Sequence, residues 1–149
     1  MKPDEKIFKA YYSSKKKSLY FNEIKEITGL SDSSLSNTLK TLTENNILEK
    51  ITTKSNTYYE MKNIKLFQLK FAEIALEQFN NLNHNIKIPL THFLKDIPKE
   101  VYTLILFGSA SRKKERKFSD IDIMIVSITK TNMEKQKKNA EITSKHNIS

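Results

Sequence analysis

At 149 residues with 38% apolar content the chain can bury compact cores but no large one, and a complete element pattern in its first ~60 residues favours two small domains over one. Zero cysteines exclude disulfides and thiol chemistry, no apolar run approaches the ~18 residues of a membrane span, and Met1-Lys2-Pro3-Asp4 lacks a secretory core, so a cytoplasmic protein with no membrane partner is expected. The formal charge of +9 is spread, at +3 over residues 1–63, +1 over 64–89 and +5 over 90–149, and the dispersed His84, His92 and His146 argue against a zinc site.

The predicted elements begin with a helix over Asp4 to Ser14, whose Ile7, Phe8 and Tyr11 share one face. Beyond Lys15-Lys16-Lys17 the short apolar run Leu19-Tyr20-Phe21 precedes Asn22, read as the N-cap of a second helix from Glu23 to Thr28 that breaks at Gly29. Ser31-Asp32-Ser33-Ser34 opens a third helix, from Asp32 to about Asn45, with Leu35, Leu39 and Leu42 at intervals of four and three. Strand-like runs from Ile47 to Thr53 and Thr57 to Met61, joined by the turn-prone Lys54-Ser55-Asn56, predict a hairpin directly after that helix.

A short helix, a glycine turn, a capped second helix and a hairpin make the pattern of a winged helix-turn-helix. Phe21 to Met61 resembles prokaryotic winged-helix regulators, most of all in the spacing of Leu39, Leu42, Ile47 and Leu48. The resemblance implies double-stranded DNA as a partner and a role in transcription regulation. Ser33, Ser34, Asn37, Lys40 and Thr41 would lie on the outward face of the recognition helix, with Lys54 at the wing tip and Lys50 and Asn56 beside it. With one lysine and no arginine on that helix the electrostatic footprint is modest, and a protein-interaction module is the other reading.

Ile64 to Asn83 reads as a connecting helix with two apolar stripes, Ile64, Phe67, Phe71 and Ile74 on one and Leu66, Leu69, Leu76 and Phe79 near the other. A helix apolar on both sides sits between two partners, either domains or the subunits of a homodimer. The Asn-rich stretch from Asn80 to Asn85, ending before Pro89, is read as the boundary, and Leu90 to Asp96 as a short helix.

Val101 to Phe107 is strand-like and ends at Gly108-Ser109, where a glycine lets backbone approach a ligand and N–H groups beside a hydroxyl can cradle phosphate. After a basic stretch holding Arg112, Lys113, Lys114, Arg116 and Lys117 comes Asp120-Ile121-Asp122-Ile123. A strand alternates its side chains, so Asp120 and Asp122 face one way and Ile121, Ile123 and Ile125 the other. Two carboxylates opposite such a turn suit Mg²⁺, which binds through a few carboxylates plus substrate phosphates.

The strand, Gly-Ser, the gap and Asp-x-Asp resemble the nucleotidyltransferase superfamily that includes DNA polymerase beta, especially its minimal prokaryotic members, over roughly residues 97 to 127. The resemblance implies Asp120 and Asp122 as catalytic metal ligands, and Gly108 and Ser109 as the nucleotide-phosphate turn. Arg112 and Lys113 from the basic loop would also contact the nucleotide. It further implies Mg²⁺ as cofactor, ATP or another nucleoside triphosphate as substrate, and a small molecule, nucleic acid or protein as acceptor. The superfamily's third carboxylate has no counterpart: Glu134 and Glu141 fall within a lysine-rich helix read from Asn132 to His146. The chain is thus read as α+β, with a winged helix-turn-helix over 1–63, a connecting helix over 64–89 and a truncated or degenerate nucleotidyltransferase-type α/β domain over 90–149. One functional reading is a protein that binds a Mg²⁺-nucleoside triphosphate or transfers its nucleoside monophosphate to a hydroxyl. The other is a DNA-binding regulator whose nucleotidyltransferase half is inactive.

Overall fold

In the computed structural model, which describes residues 1–111, 120–142 and 147–149, Pro3–Ser14 forms helix α1 because its first turn is arranged for it. Pro3 presets the backbone, Asp4 and Glu5 complement the helix dipole, and the Lys2 N–H donates to the Glu5 carboxylate at 3.0 Å. The helix buries Ile7, Phe8, Ala10 and Tyr11, then stops at Lys15, whose left-handed backbone (φ 58°) lets its N–H reach the Tyr11 carbonyl.

Strand β1 (Ser18–Tyr20) leads into α2 (Phe21–Thr28), which ends at Gly29 with φ +62°, the left-handed conformation glycine adopts without a Cβ penalty. Helix α3 (Asp32–Glu44) starts where the Ser31 hydroxyl accepts from the Ser34 N–H at 3.4 Å. The hairpin of β2 (Leu48–Thr52) and β3 (Thr57–Met61) closes through Thr53, whose N–H and hydroxyl both donate to the Asn56 carbonyl. β3 is central in an antiparallel sheet of order β1-β3-β2.

One reading of this region is corrected. Asn22 does not cap α2: the helix starts earlier, at Phe21, where Glu23 folds back to accept the Tyr20 N–H. The run Leu19-Tyr20-Phe21 is partly a strand, held by β3 opposite rather than by its own propensity.

This first unit spans Met1–Glu77 and takes in most of α4 (Ile64–Asn80), which ends before the predicted Asn83. Phe67 and Ile74 enter a core with Ile7, Leu19, Ile24, Leu35 and Leu39. The rings of Phe8, Tyr11 and Phe71 meet Phe67 edge-on at 5.0, 5.2 and 5.8 Å, a favoured aromatic geometry. The Tyr11 hydroxyl donates to the Tyr59 carbonyl at 2.7 Å, and burial pushes its pKa well up, so it stays a neutral donor. On the second predicted stripe of α4, Leu66 packs on this core while Leu69 and Leu76 are 57% and 60% exposed.

The second unit, Gln78–Ser149, contains α5 (His84–Phe93), β4 (Val101–Leu106), the four-residue α6 (Gly108–Ser111), β5 (Ile123–Ser127) and α7 (Glu134–Glu141). β4 and β5 pair antiparallel. Helix α5 corrects the reading that began a helix at Leu90, because it runs through Pro89 and ends at Phe93. Pro89 supplies no N–H and crowds the turn before it, a cost of about 3 kcal/mol. Burial of Ile86, Pro89, Leu90 and Phe93 along one face offsets that cost. Helix α7 begins at Glu134 rather than at the predicted Asn132, and residues 143–146 of the predicted helix lie outside those described. It is tied to the turn after α5 by the buried Gln136 amide, which donates to the Asp96 carbonyl at 2.8 Å. Among the described residues no helix is long and apolar enough to cross a membrane.

Candidate nucleotide site and recognition face

Just beyond the Leu106–Ile123 pair that ends the β4–β5 ladder, the Phe107 N–H donates to the Asp122 carbonyl at 3.1 Å, which sets Asp122 directly against the turn that follows β4. Gly108 occupies that turn with φ +69°, and a Cβ built on it would lie 2.0 Å from Asp122 Oδ2. The glycine therefore answers two demands at once, a left-handed backbone and room for a carboxylate. Ser109 follows it half-buried, Ala110 is in the core, and the Ser111 hydroxyl donates to the Gly108 carbonyl at 3.0 Å.

Ile121 is buried and Ile123 and Ile125 pack on the same core, so Asp120 and Asp122 share the opposite face with Met124, which is 54% exposed. Asp120 is exposed and Asp122 half-buried. On the free edge of this strand, residues 147–149 run parallel to it. The Ile121 N–H donates to the Asn147 carbonyl at 2.8 Å, the Ser149 N–H to Ile121, and the Ile123 N–H to Ser149. The Ser149 hydroxyl donates to Asp122 Oδ1 at 2.8 Å. Sequence reasoning missed both the Ser149 contact and the steric need at Gly108. The alternation of Asn147-Ile148-Ser149 was the available signal, too short to stand as a strand.

Arg112 and Lys113, with Lys114, Arg116 and Lys117, fall in residues 112–119, outside those described. Among the described residues no three His, Cys, Asp or Glu side chains gather as a metal cage. The hard oxygens of Asp120 and Asp122 do fit Mg²⁺, an ion that keeps open positions for substrate phosphates.

In the first unit Ser33, Asn37, Lys40 and Thr41 lie exposed along α3 and Ser34 is half-buried, while Lys54 is exposed at the hairpin tip. Several are already engaged. The Thr41 hydroxyl donates to the Asn37 carbonyl at 3.0 Å, Ser33 and Ser31 share a hydroxyl contact at 3.3 Å, and Lys40 lies 3.8 Å from Glu44. Lys25 on α2 meets Asp32 at the start of α3 at 2.8 Å. Such exposed pairs are weak and yield readily to a stronger partner.

No curated protein and no solved structure matches the chain. The family model described as polymerase beta, nucleotidyltransferase matches residues 89–148, which take in β4, the Gly108 turn, both aspartates and most of the parallel edge. Members of that family generally use divalent metals. Residues 89–148 are accordingly similar to a nucleotidyltransferase domain of the polymerase beta type.

Proposed function

We propose that the C-terminal unit binds a Mg²⁺-nucleoside triphosphate, ATP or another, at the Gly108-Ser109 turn and the Asp120/Asp122 face, and passes its nucleoside monophosphate to a hydroxyl acceptor. The observation that carries this is the seating of the Asp122 carboxylate against Gly108, where any side chain would expel it. In this reading the backbone N–H groups of the turn and the Ser109 hydroxyl would hold phosphate oxygens. Asp120 and Asp122 would hold the metal, which when bound would neutralise charge developing on the transferred phosphoryl group. Arg112 and Lys113 would add positive charge beside the triphosphate.

The N-terminal unit would serve as a winged helix that places this site on double-stranded DNA. The order α1-β1-α2-α3-β2-β3, the Gly29 turn ahead of α3 and the hairpin after it support that reading. Ser33, Ser34, Asn37, Lys40 and Thr41 would meet the groove, and Lys54 the backbone. The exposed Leu69 and Leu76 of α4 offer a surface for a homodimer, which would give paired half-sites their two-fold symmetry.

Calorimetric titration of Mg²⁺-ATP and Mg²⁺-GTP tests the nucleotide site: binding by the native chain should be lost in Asp120→Asn/Asp122→Asn, and unchanged affinity would remove both residues from it. For the winged helix, Lys40→Ala should weaken duplex binding and flatten its salt dependence. No duplex shift by the native chain at low salt would leave the unit as an interaction module. A second reading, a DNA-binding regulator whose transferase half binds nucleotide without transferring it, is favoured by one observation: among the described residues no third acid gathers with Asp120 and Asp122.

A further inference from the structure

The parallel edge fixes which way its side chains point. Ile148 is the register partner of Ile121, and both are buried, at 3% and 0% exposure, so the next residue on each segment, Ser149 and Asp122, turns to the opposite face. Two backbone bonds to Ile121 and one from Ile123 lock that register. The Asp122 carboxylate is thereby held at both ends, with Oδ1 accepting the Ser149 hydroxyl and Oδ2 over Gly108.

We propose that Ser149 is a positioning residue: its hydroxyl aims the Asp122 carboxylate at the ligand the site takes. The inference rests on the nucleotide-site reading above. Its physical basis is orientation. With Oδ1 accepting the Ser149 hydroxyl and Oδ2 over a turn that leaves no room for a side chain, the carboxylate is held in one direction before any ligand arrives, and a group that orients a metal ligand raises the affinity it delivers.

The experiment is calorimetric titration of the 149-residue chain with ATP at saturating Mn²⁺, on the native protein and on Ser149→Ala and Ser149→Thr. Thermal unfolding of each variant identifies any that fails to fold. Ser149→Ala should weaken Mn²⁺-ATP binding by about tenfold or more, the usual effect of removing a group that orients a ligand, and Ser149→Thr, which keeps the hydroxyl, should restore it. Asp122→Asn separates the two ideas. If it leaves Mn²⁺-ATP binding intact, the nucleotide site itself is wrong. If it abolishes binding while Ser149→Ala behaves as the native chain, the site stands and the role of Ser149 is overturned.

Discussion

The two units differ in what ends their elements. In the N-terminal unit the boundaries are mostly local: Pro3 opens α1, Gly29 closes α2, Ser31 caps α3, and Thr53 and Asn56 close the hairpin. In the C-terminal unit, the boundaries near the site are made between segments, as Asp122 meets the turn after β4 and residues 147–149 pair with the segment just ahead of β5 that carries it. The cores differ in the same way. The first unit surrounds Phe67 with three aromatic rings, whereas the β4–β5 pair keeps one face open, leaving Ile105 and Met124 about half exposed beside the aspartates. One unit is organised around burial. The other leaves apolar side chains of its strand pair half exposed.

If that contrast is right, the largest effect of a single methyl group should fall at the site. Gly108→Ala forces a Cβ into the space of Asp122 Oδ2 and holds alanine at φ +69°, a conformation costing about 1–2 kcal/mol. Displacing the carboxylate should cut Mg²⁺-ATP affinity by roughly 10²-fold while the unfolding transition of the N-terminal unit stays where it was. Native affinity in this variant would mean that the contact does not shape the site. Leu39→Ala tests the other side. Leu39 has no exposure in the first core, so the cavity should cost about 2–5 kcal/mol, read as a lower unfolding midpoint together with weakened duplex binding. Nucleotide binding should survive, and its loss would show that the C-terminal unit needs the N-terminal one in order to fold.

The same contrast explains how much was legible in the sequence. Helix α3 was legible to within a residue because Ser31, Gly29 and the Leu35-Leu39-Leu42 spacing all act within one element. β1 was not, since three residues have no period and are a strand only because β3 lies opposite. Pro89 misled in the usual direction: as a local signal it breaks a helix, yet Ile86, Leu90 and Phe93 at i, i+4 and i+7 bury enough to keep one. At the site, Gly108 and Asp122 were legible as residue types at a spacing. That one must be glycine because of the other was visible only in three dimensions. The contact of Ser149 with Asp122 was hidden for the same reason.

The smallest effect should come from an exposed contact that helps set a local boundary. Glu23 accepts the Tyr20 N–H at the start of α2 and pairs with Lys16, and chiefly the hydrogen bond from Lys16 holds its carboxyl below the usual carboxylate range. The same bond pushes the Lys16 ammonium above its ordinary value. A carboxyl depressed on folding stabilises only where the unfolded chain has already ionised, so its contribution is present above about pH 4 and fades as pH falls through the lower folded value. The raised ammonium acts the other way, contributing below about pH 10 and fading as pH rises through its folded value. Between those limits Glu23→Gln should unfold slightly more easily than the native chain, by an amount that shrinks with added salt because the pair is solvent-screened. A glutamine at this position keeps an oxygen that can accept the Tyr20 N–H, so the substitution removes chiefly the charge, and the two denaturation curves should converge at acid pH. A gap that persists there would trace the loss to the shape of the Tyr20 contact rather than to its charge, and would leave the Lys16 pair with no share in ending β1 and starting α2.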